Sequence, residues 1–477
     1  MKARLHPQLQ PWQPGDAEPW DALRAGHLLN RAGFGGSPEE VAALARLGVD
    51  GAVDALLDFP DAPAAEQRPG DGPDWSLLAE IPLKNAERRQ AQFQLRGPEN
   101  EPARQALNQK WQRASAQFMI SATEWWVNRM AFGPHPLQER VVLFWHGHLT
   151  SSYRDDRQGS WRLFNQNELL RRYAAGNFRE MVAAISRDPA MLRYLNNDRN
   201  VRQRPNENYA RELMELFTLG IGNYTEEDIK QVARAFTGWT HDGVAYSFNR
   251  RQHDAGPKQV FGRSGQFDGD QIIDLLMQHP ACAPFIGGKL YEYFVGAEPD
   301  ERLRAGLGEV LRESNYELRP LLRVILRSRA FFDRDRIGGR IKSPIHLLAG
   351  TVRLLGMQGL NAQQVRRELE KIGQVPFEPP NVKGWPGQYD GRKWINTATL
   401  LARYNLGIKL ADRAGRRLAG GRNPERLADE WLARLIGRPI EPAKRAAIVE
   451  AARKAEPREA AATVVKLIVS MPEYQLC

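Results

Sequence analysis

Cysteine is almost missing from this sequence: of 477 residues, only Cys282 and Cys477 carry a thiol. Two thiols exclude a disulfide framework and a four-thiolate zinc site. Cys282 reads as a small buried apolar residue and Cys477 as a loose terminal thiol. Long hydrophobic runs are missing too. No window approaches the ~20 continuous apolar residues of a spanning helix, so no transmembrane segment is expected. The opening stretch, MKARLHPQLQPWQPGDAEPW, lacks the apolar core of a secretory signal. That absence points to a cytoplasmic location, or to a periplasmic or exported one if a leader is missing. There is no basic block either. The net charge is +10, from 67 basic and 57 acidic residues, but the basic residues are dispersed, so no specific nucleic-acid partner is expected. Finally, GxxxxGK[ST], GxSxG and HExxH do not occur, which removes the commonest phosphate-loop, serine-hydrolase and zinc-protease readings.

What is present is helical. Apolar residues make up 42% of the chain, enough for a sizeable core. Ser37-Pro38-Glu39-Glu40 is a capping box with proline at the first helical position. Thr225 caps a second amphipathic stretch, and Asp268 or Asp270 a third. Strand signals are few: GVAYSF (243–248) alternates, and KQVFG (258–262) is read as its partner. The expected fold is mainly α, a large multi-helix globular body with one small β-hairpin element. Residues 20–411 read as the main helical domain, with a mobile insertion at about 60–105 where proline, glycine and charge accumulate. Residues 412–477 read as a C-terminal helical subdomain.

Four stretches could carry chemistry. WHGHL (145–149) ends an apolar helix. If the helix continues, His146 and His148 lie about 200° apart and cannot chelate one ion. If Gly147 breaks it, both rings face one way and can bind a divalent transition metal. The plain reading is a histidine at a helix end meeting exposed carbonyls. NENYARELMELFTLG (206–220) places Arg211 and Glu212 on a polar face. That face is either a solvated salt-bridged surface or a site wall, with Arg211 binding an anion and a carboxylate moving a proton. RQHDAGPK (251–258) is a loop that gathers His253, Asp254 and Lys258. It offers an oriented base and an anion contact, or an ordinary polar turn. FEPPNVKGWPGQYDGRKWINTATL (377–400) is a rigid loop. It holds Trp385 and Trp394 as a core lid, or as a flat face to a ligand with Asn381, Lys383 and Asn396 as polar contacts.

Together with HLLNRAGFGGSPEE, EEDIKQVARAFTGWT and FDGDQIIDLLMQHPACAPFIGGKLYEYFV, these stretches resemble the bacterial family known as domain of unknown function 1800, from about residue 27 to the C-terminus. The resemblance implies no established reaction. It implies an association with another uncharacterised family, domain of unknown function 1501, and so an envelope or export-linked role. The stretches that carry it contain the polar candidates above. The expectation is therefore an enzyme performing hydrolysis or group transfer on an anionic or sugar-like substrate. His253, Asp254, Arg211, Glu212 and Lys258 would be its catalytic set. His146 and His148 would hold the metal, and Trp385, Asn381 and Asn396 would contact substrate, all bordering one cleft. The rival expectation is a non-catalytic binding or scaffold partner.

Overall fold

The computed structural model describes residues 5–60, 72–418 and 423–477. Helix accounts for 62% of the structure. The strands form two short antiparallel pairs. The expected capping boxes are in place. Ser37 accepts from Glu40 N while the Glu40 carboxylate accepts from Ser37 N, and Thr225 with Asp228 and Asp268 with Gln271 do the same. Each box satisfies two backbone donors that helix geometry leaves unpaired. Among the described residues, no helix is long and apolar enough to cross a membrane.

The hairpin is not the expected one. β1 (Trp239–His241) pairs with β2 (Tyr246–Phe248), and β3 (Lys258–Val260) pairs with β4 (Arg263–Gly265). So 243–248 and 258–262 each find a partner next to them in sequence rather than each other. The turns decide this. The Asp242 carboxylate accepts from both Val244 N and Ala245 N at 2.8 Å, which closes the first turn. Phe261 and Gly262 both have positive φ, 51° and 76°, the two-residue geometry whose twist suits a tight hairpin.

The body is organised around one helix, Pro136–His148. Twelve of its thirteen residues, Leu137 through His148, are buried, so both of its faces are interior rather than one stripe. It packs against the helices Ala22–Ala32, Gly48–Leu57, Glu101–Phe132 and Ser160–Arg172. Its one buried carboxylate, Glu139, is fully engaged. Arg171 donates to both oxygens at 2.8 and 2.9 Å, Arg129 pairs with one of them, and Trp126 Nε1 donates to the other at 2.8 Å. Burial opposes ionisation of Glu139, but Arg171 and Arg129 outweigh it and hold the carboxyl down to about 2.

Three boundary expectations change. Positions 61–71 of the supposed mobile insertion lie outside the described residues. The rest is not simply loop: Asn85–Phe93 is a helix and Glu101–Phe132 begins within the region. Arg88 anchors the first of these, its guanidinium over the rings of Trp111 and Trp161 at 5.0 and 5.4 Å. Position 412 falls inside the helix Thr397–Ala414, which packs on Ala460–Val469. Cys477 is not a loose thiol. It is buried, and its backbone exchanges hydrogen bonds with Arg340.

The 377–391 loop lies directly on the end of the central helix, and two glycines make this approach feasible. Gly147 carries no side chain where the Gln388 amide sits, and Gln388 Nε2 donates to Phe144 O at 3.2 Å. Gly384, with φ +76°, faces the Gly147 carbonyl so closely that any Cβ would collide with it. Gly384→Ala is expected to cost about 3 kcal/mol, from left-handed strain plus a backbone clash. The check is the urea midpoint, and an unchanged midpoint would show that the loop does not dock this way.

Candidate functional site

The central helix runs unbroken through Gly147, so the condition for joint metal binding by His146 and His148 is not met. The rings serve different partners. His146 Nε2 accepts from Phe377 N at 3.0 Å, which occupies the lone pair a metal would need. His148 Nε2 donates to Phe217 O at 3.0 Å, so that nitrogen carries the proton. Burial pushes His146 down to about 3 and His148 to about 4, so both are neutral near pH 7. The helix-end reading is also replaced, because the rings reach backbone 231 and 69 residues away in sequence rather than their own helix carbonyls. Among the described residues, no group of three or more His, Cys, Asp or Glu is placed to hold a metal ion.

The expected catalytic set does not converge either. Arg211 forms an exposed ion pair with Glu226, at 2.8 and 2.9 Å, and a longer one with Glu207. Asp254 pairs with Arg234 at 2.7 Å, which holds its carboxyl below the usual range. Glu226 and Arg234 sit at opposite ends of the helix Glu226–Ala235. Eight residues of helix separate these two pairs by about 12 Å. His253 Nδ1 contacts Thr237 O at 2.8 Å. Lys258 is buried, and its Nζ donates to Asp254 O and Gly256 O at 2.7 and 3.0 Å. It clips its own loop shut rather than presenting a charge to a ligand. Glu212 is half-buried, its carboxyl pushed up by burial and by Glu215.

The tryptophan loop does join WHGHL. Trp385 is buried with its ring 5.4 Å from that of His146, and Tyr389 Oη lies 3.5 Å from His148 Nδ1. Trp385 therefore packs as a lid. Asn381 Oδ1 accepts from Lys383 N, closing a turn. Asn396 is the N-cap of Thr397–Ala414 and forms a capping box with Thr399. These contacts account for both amides without a ligand.

A roomy, largely apolar recess lies elsewhere, between the first two helices and the C-terminal ones. It is a cleft of about 550 Å³, within the ~300–1,000 Å³ range of small-molecule sites. One wall is His27, Asn30, Gly35, Gly36 and Pro38, from the HLLNRAGFGGSPEE stretch, with Val41 just after it. Opposite stand Leu432, in the last turn of the helix Pro424–Leu435, and Ile436, Gly437, Arg438 and Ile440, which follow it. Gly35, with φ +89°, turns the chain between the two helices, and a Cβ on Gly36 would collide with Leu29. The lining contains no aromatic side chain other than the His27 ring.

Its polar groups are few. His27 Nε2 donates to Phe331 O at 2.9 Å, so Nδ1 is a bare acceptor, buried and without a partner. Burial, then Arg31, pushes His27 down to about 3, too low for a base near neutrality. Arg438 donates to Glu473 O at 3.2 Å and makes no ion pair among the described residues. At the rim, Arg445 and Asp429 neutralise each other through two 2.7 Å bonds. The sequence reading missed this site. Its signal was the glycine-rich stretch itself, read there only as a helix start.

No curated protein and no solved structure matches this chain. One family model does, described as a protein of unknown function (DUF1800), and it matches residues 27–476. The match begins at His27, on the wall of the cleft, and spans nearly the whole chain: the protein belongs to the DUF1800 family.

Proposed function

We propose that this protein binds a small amphipathic anion in the cleft between its first two helices and its C-terminal helices. The observation that carries this is the lining. Aliphatic walls suit an acyl-like body, while Arg438, its charge only partly met by Glu473 and Cys477, offers a cation at the wall. The lack of a tryptophan or tyrosine platform argues against a sugar ring as the main contact. The lack of a base near neutrality argues for binding rather than turnover. Decanoate is a suitable probe, with decanol and inorganic phosphate as its apolar and anionic halves. Calorimetry is expected to show one saturable site for decanoate and weaker binding of either half. Arg438→Ala should weaken decanoate about tenfold or more, the worth of one charge-assisted contact. Val41→Trp, which fills the cleft, should abolish binding. Failure of decanoate to saturate, or equal affinity in Arg438→Ala, overturns the proposal.

The enzymatic alternative has one observation in its favour. The Glu212 carboxyl, pushed up by burial and Glu215, has the character of a general acid. Hydrolysis of a phosphate or glycoside reporter that is lost in Glu212→Gln would support it. The family-level partner, a protein of the domain-of-unknown-function 1501 family, and a cytoplasmic or exported location belong to the same proposal. Fractionation and co-purification of the two proteins at native levels test them.

A further inference from the structure

Five cations lie deep in the protein: Arg31, Arg140, Arg340, Lys342 and Arg403. Each is at least nine-tenths buried. Elsewhere, buried arginines meet carboxylates: Arg162 meets Asp156, Arg171 meets Glu139, and Arg327 meets Asp50. None of these five forms an ion pair with a carboxylate side chain among the described residues. A buried charge with no counter-charge is strongly unfavourable, so what each one meets matters.

Four of the five meet backbone or amide oxygens or a ring, and all four are also drawn toward Cys477. Arg31 donates to Phe294 O at 2.9 and 2.6 Å and to Cys477 O at 3.4 Å. Arg340 donates to Tyr293 O and Gln388 O. Arg403 donates to Gln475 Oε1 and Lys342 O at 3.0 and 2.8 Å. The Lys342 ammonium lies 4.1 Å from the centre of the Tyr474 ring. Burial works against the charge at Arg31, Arg340, Lys342 and Arg403, and attraction to Cys477 offsets part of it at all four.

Arg140 has no such acceptors. Its guanidinium lies 5.6 Å from the centre of the Phe34 ring and 5.2 Å from that of Tyr293. Both Nε and Nη1 are buried without a partner. Arg140 also lines a narrow cavity, walled with it by Tyr293, Arg340, Ser343, Gln388 and Trp394. No carboxylate lines that cavity. The free space is about 10 Å³, the room that one water-sized particle needs. Next to this group, His346 is fully buried with both ring nitrogens unpartnered. Burial and the surrounding Arg140, Lys342, Arg31 and Arg340 hold it neutral.

We propose that the Arg140 cavity is a binding site for one small inorganic anion of halide size, with chloride the biological occupant. The charge calls for an anion, the Arg140 guanidinium on the cavity wall supplies its contact, and the volume selects against tetrahedral oxyanions. A water molecule would fill the space but leave the charge unmatched. The test uses the full chain in sodium gluconate, exchanged stepwise for chloride, bromide or sulfate at constant ionic strength. Chloride and bromide are expected to raise Tm by a few degrees, saturably, and sulfate to show no saturable effect. Arg140→Gln should lose the halide response, while Arg327→Gln, at a buried arginine paired with Asp50, should keep it. Should Arg140→Gln fail to fold, crystals grown in bromide decide the matter, with an anomalous peak expected in the cavity beside the Arg140 guanidinium. A parent protein that is indifferent to halide, or a peak seen only at molar bromide with no stability shift, overturns the proposal.

Discussion

Between pH 7 and pH 5 this protein is expected to lose about 6–7 kcal/mol of folding stability, an amount comparable to the whole stability of many domains. Four buried histidines are the cause. Burial holds His27 and His146 down to about 3, His148 to about 4 and His346 well below the ordinary value. The unfolded chain takes up a proton at each near pH 6.5, whereas the folded chain does not until far lower. In that window the unfolded state binds more protons, so stability falls as pH falls. Each histidine accounts for about 2 kcal/mol at pH 5. Asp188 acts in the opposite sense. Burial pushes it up to about 6, so the folded state gains a proton first and recovers about 1 kcal/mol over the same range. Urea unfolding at the two pH values measures the net loss. Replacing His346, which has no polar partner, by leucine should shrink the loss by about 2 kcal/mol. A stability that stays flat between pH 7 and 5 would mean that these rings are solvated or paired in solution.

Glu139→Ala is expected to cost about 3 kcal/mol at neutral pH, because buried Arg171 loses the better placed of its two counter-charges and keeps only Glu168. Arg171, 3% exposed, would keep Glu168 and Asn167 but lose both bonds to Glu139, and Trp126 Nε1 would lose its acceptor. Glu139→Gln keeps the shape and one acceptor and should cost less. The pair should be compared with the double variant Glu139→Leu/Arg171→Met. If that double variant is more stable than Glu139→Ala alone, the stranded charge and not the lost volume is the origin of the effect. Equal costs for all three would point to packing.

Much of the helical fold was legible because its signals are local. Ser37 and Glu40, Thr225 and Asp228, and Asp268 and Gln271 stand three residues apart, and the helix starts they mark are present. The strand pairing was misread because turn chemistry at Asp242 and at Phe261–Gly262 outranks the alternation of apolar residues. The partners of the polar side chains were not legible for a different reason. A histidine or arginine in sequence does not show whether its partner is water, a carboxylate or a distant carbonyl. His146 and Lys258 both looked like reactive groups. The first meets Phe377 N from far along the chain, and the second meets the carbonyls of its own loop. Arg140 could not be singled out at all. Its significance lies in what four other cations, brought from separate segments, fail to provide.

The same long-range pairing sets an order of assembly. Arg31, near the start of the chain, is buried against Phe294 O and Cys477 O, 263 and 446 residues onward. At about 5–20 residues per second of synthesis, roughly 20–90 s separate its appearance from that of its last acceptor. Until the Phe294 segment is made, the guanidinium on the helix Ala22–Ala32 lacks the acceptor of its two shortest bonds, and its last contact waits for Cys477. The N-terminal helix is thus expected to lock late, after the segments that follow it, contrary to the usual rule that a chain folds from its first-made end.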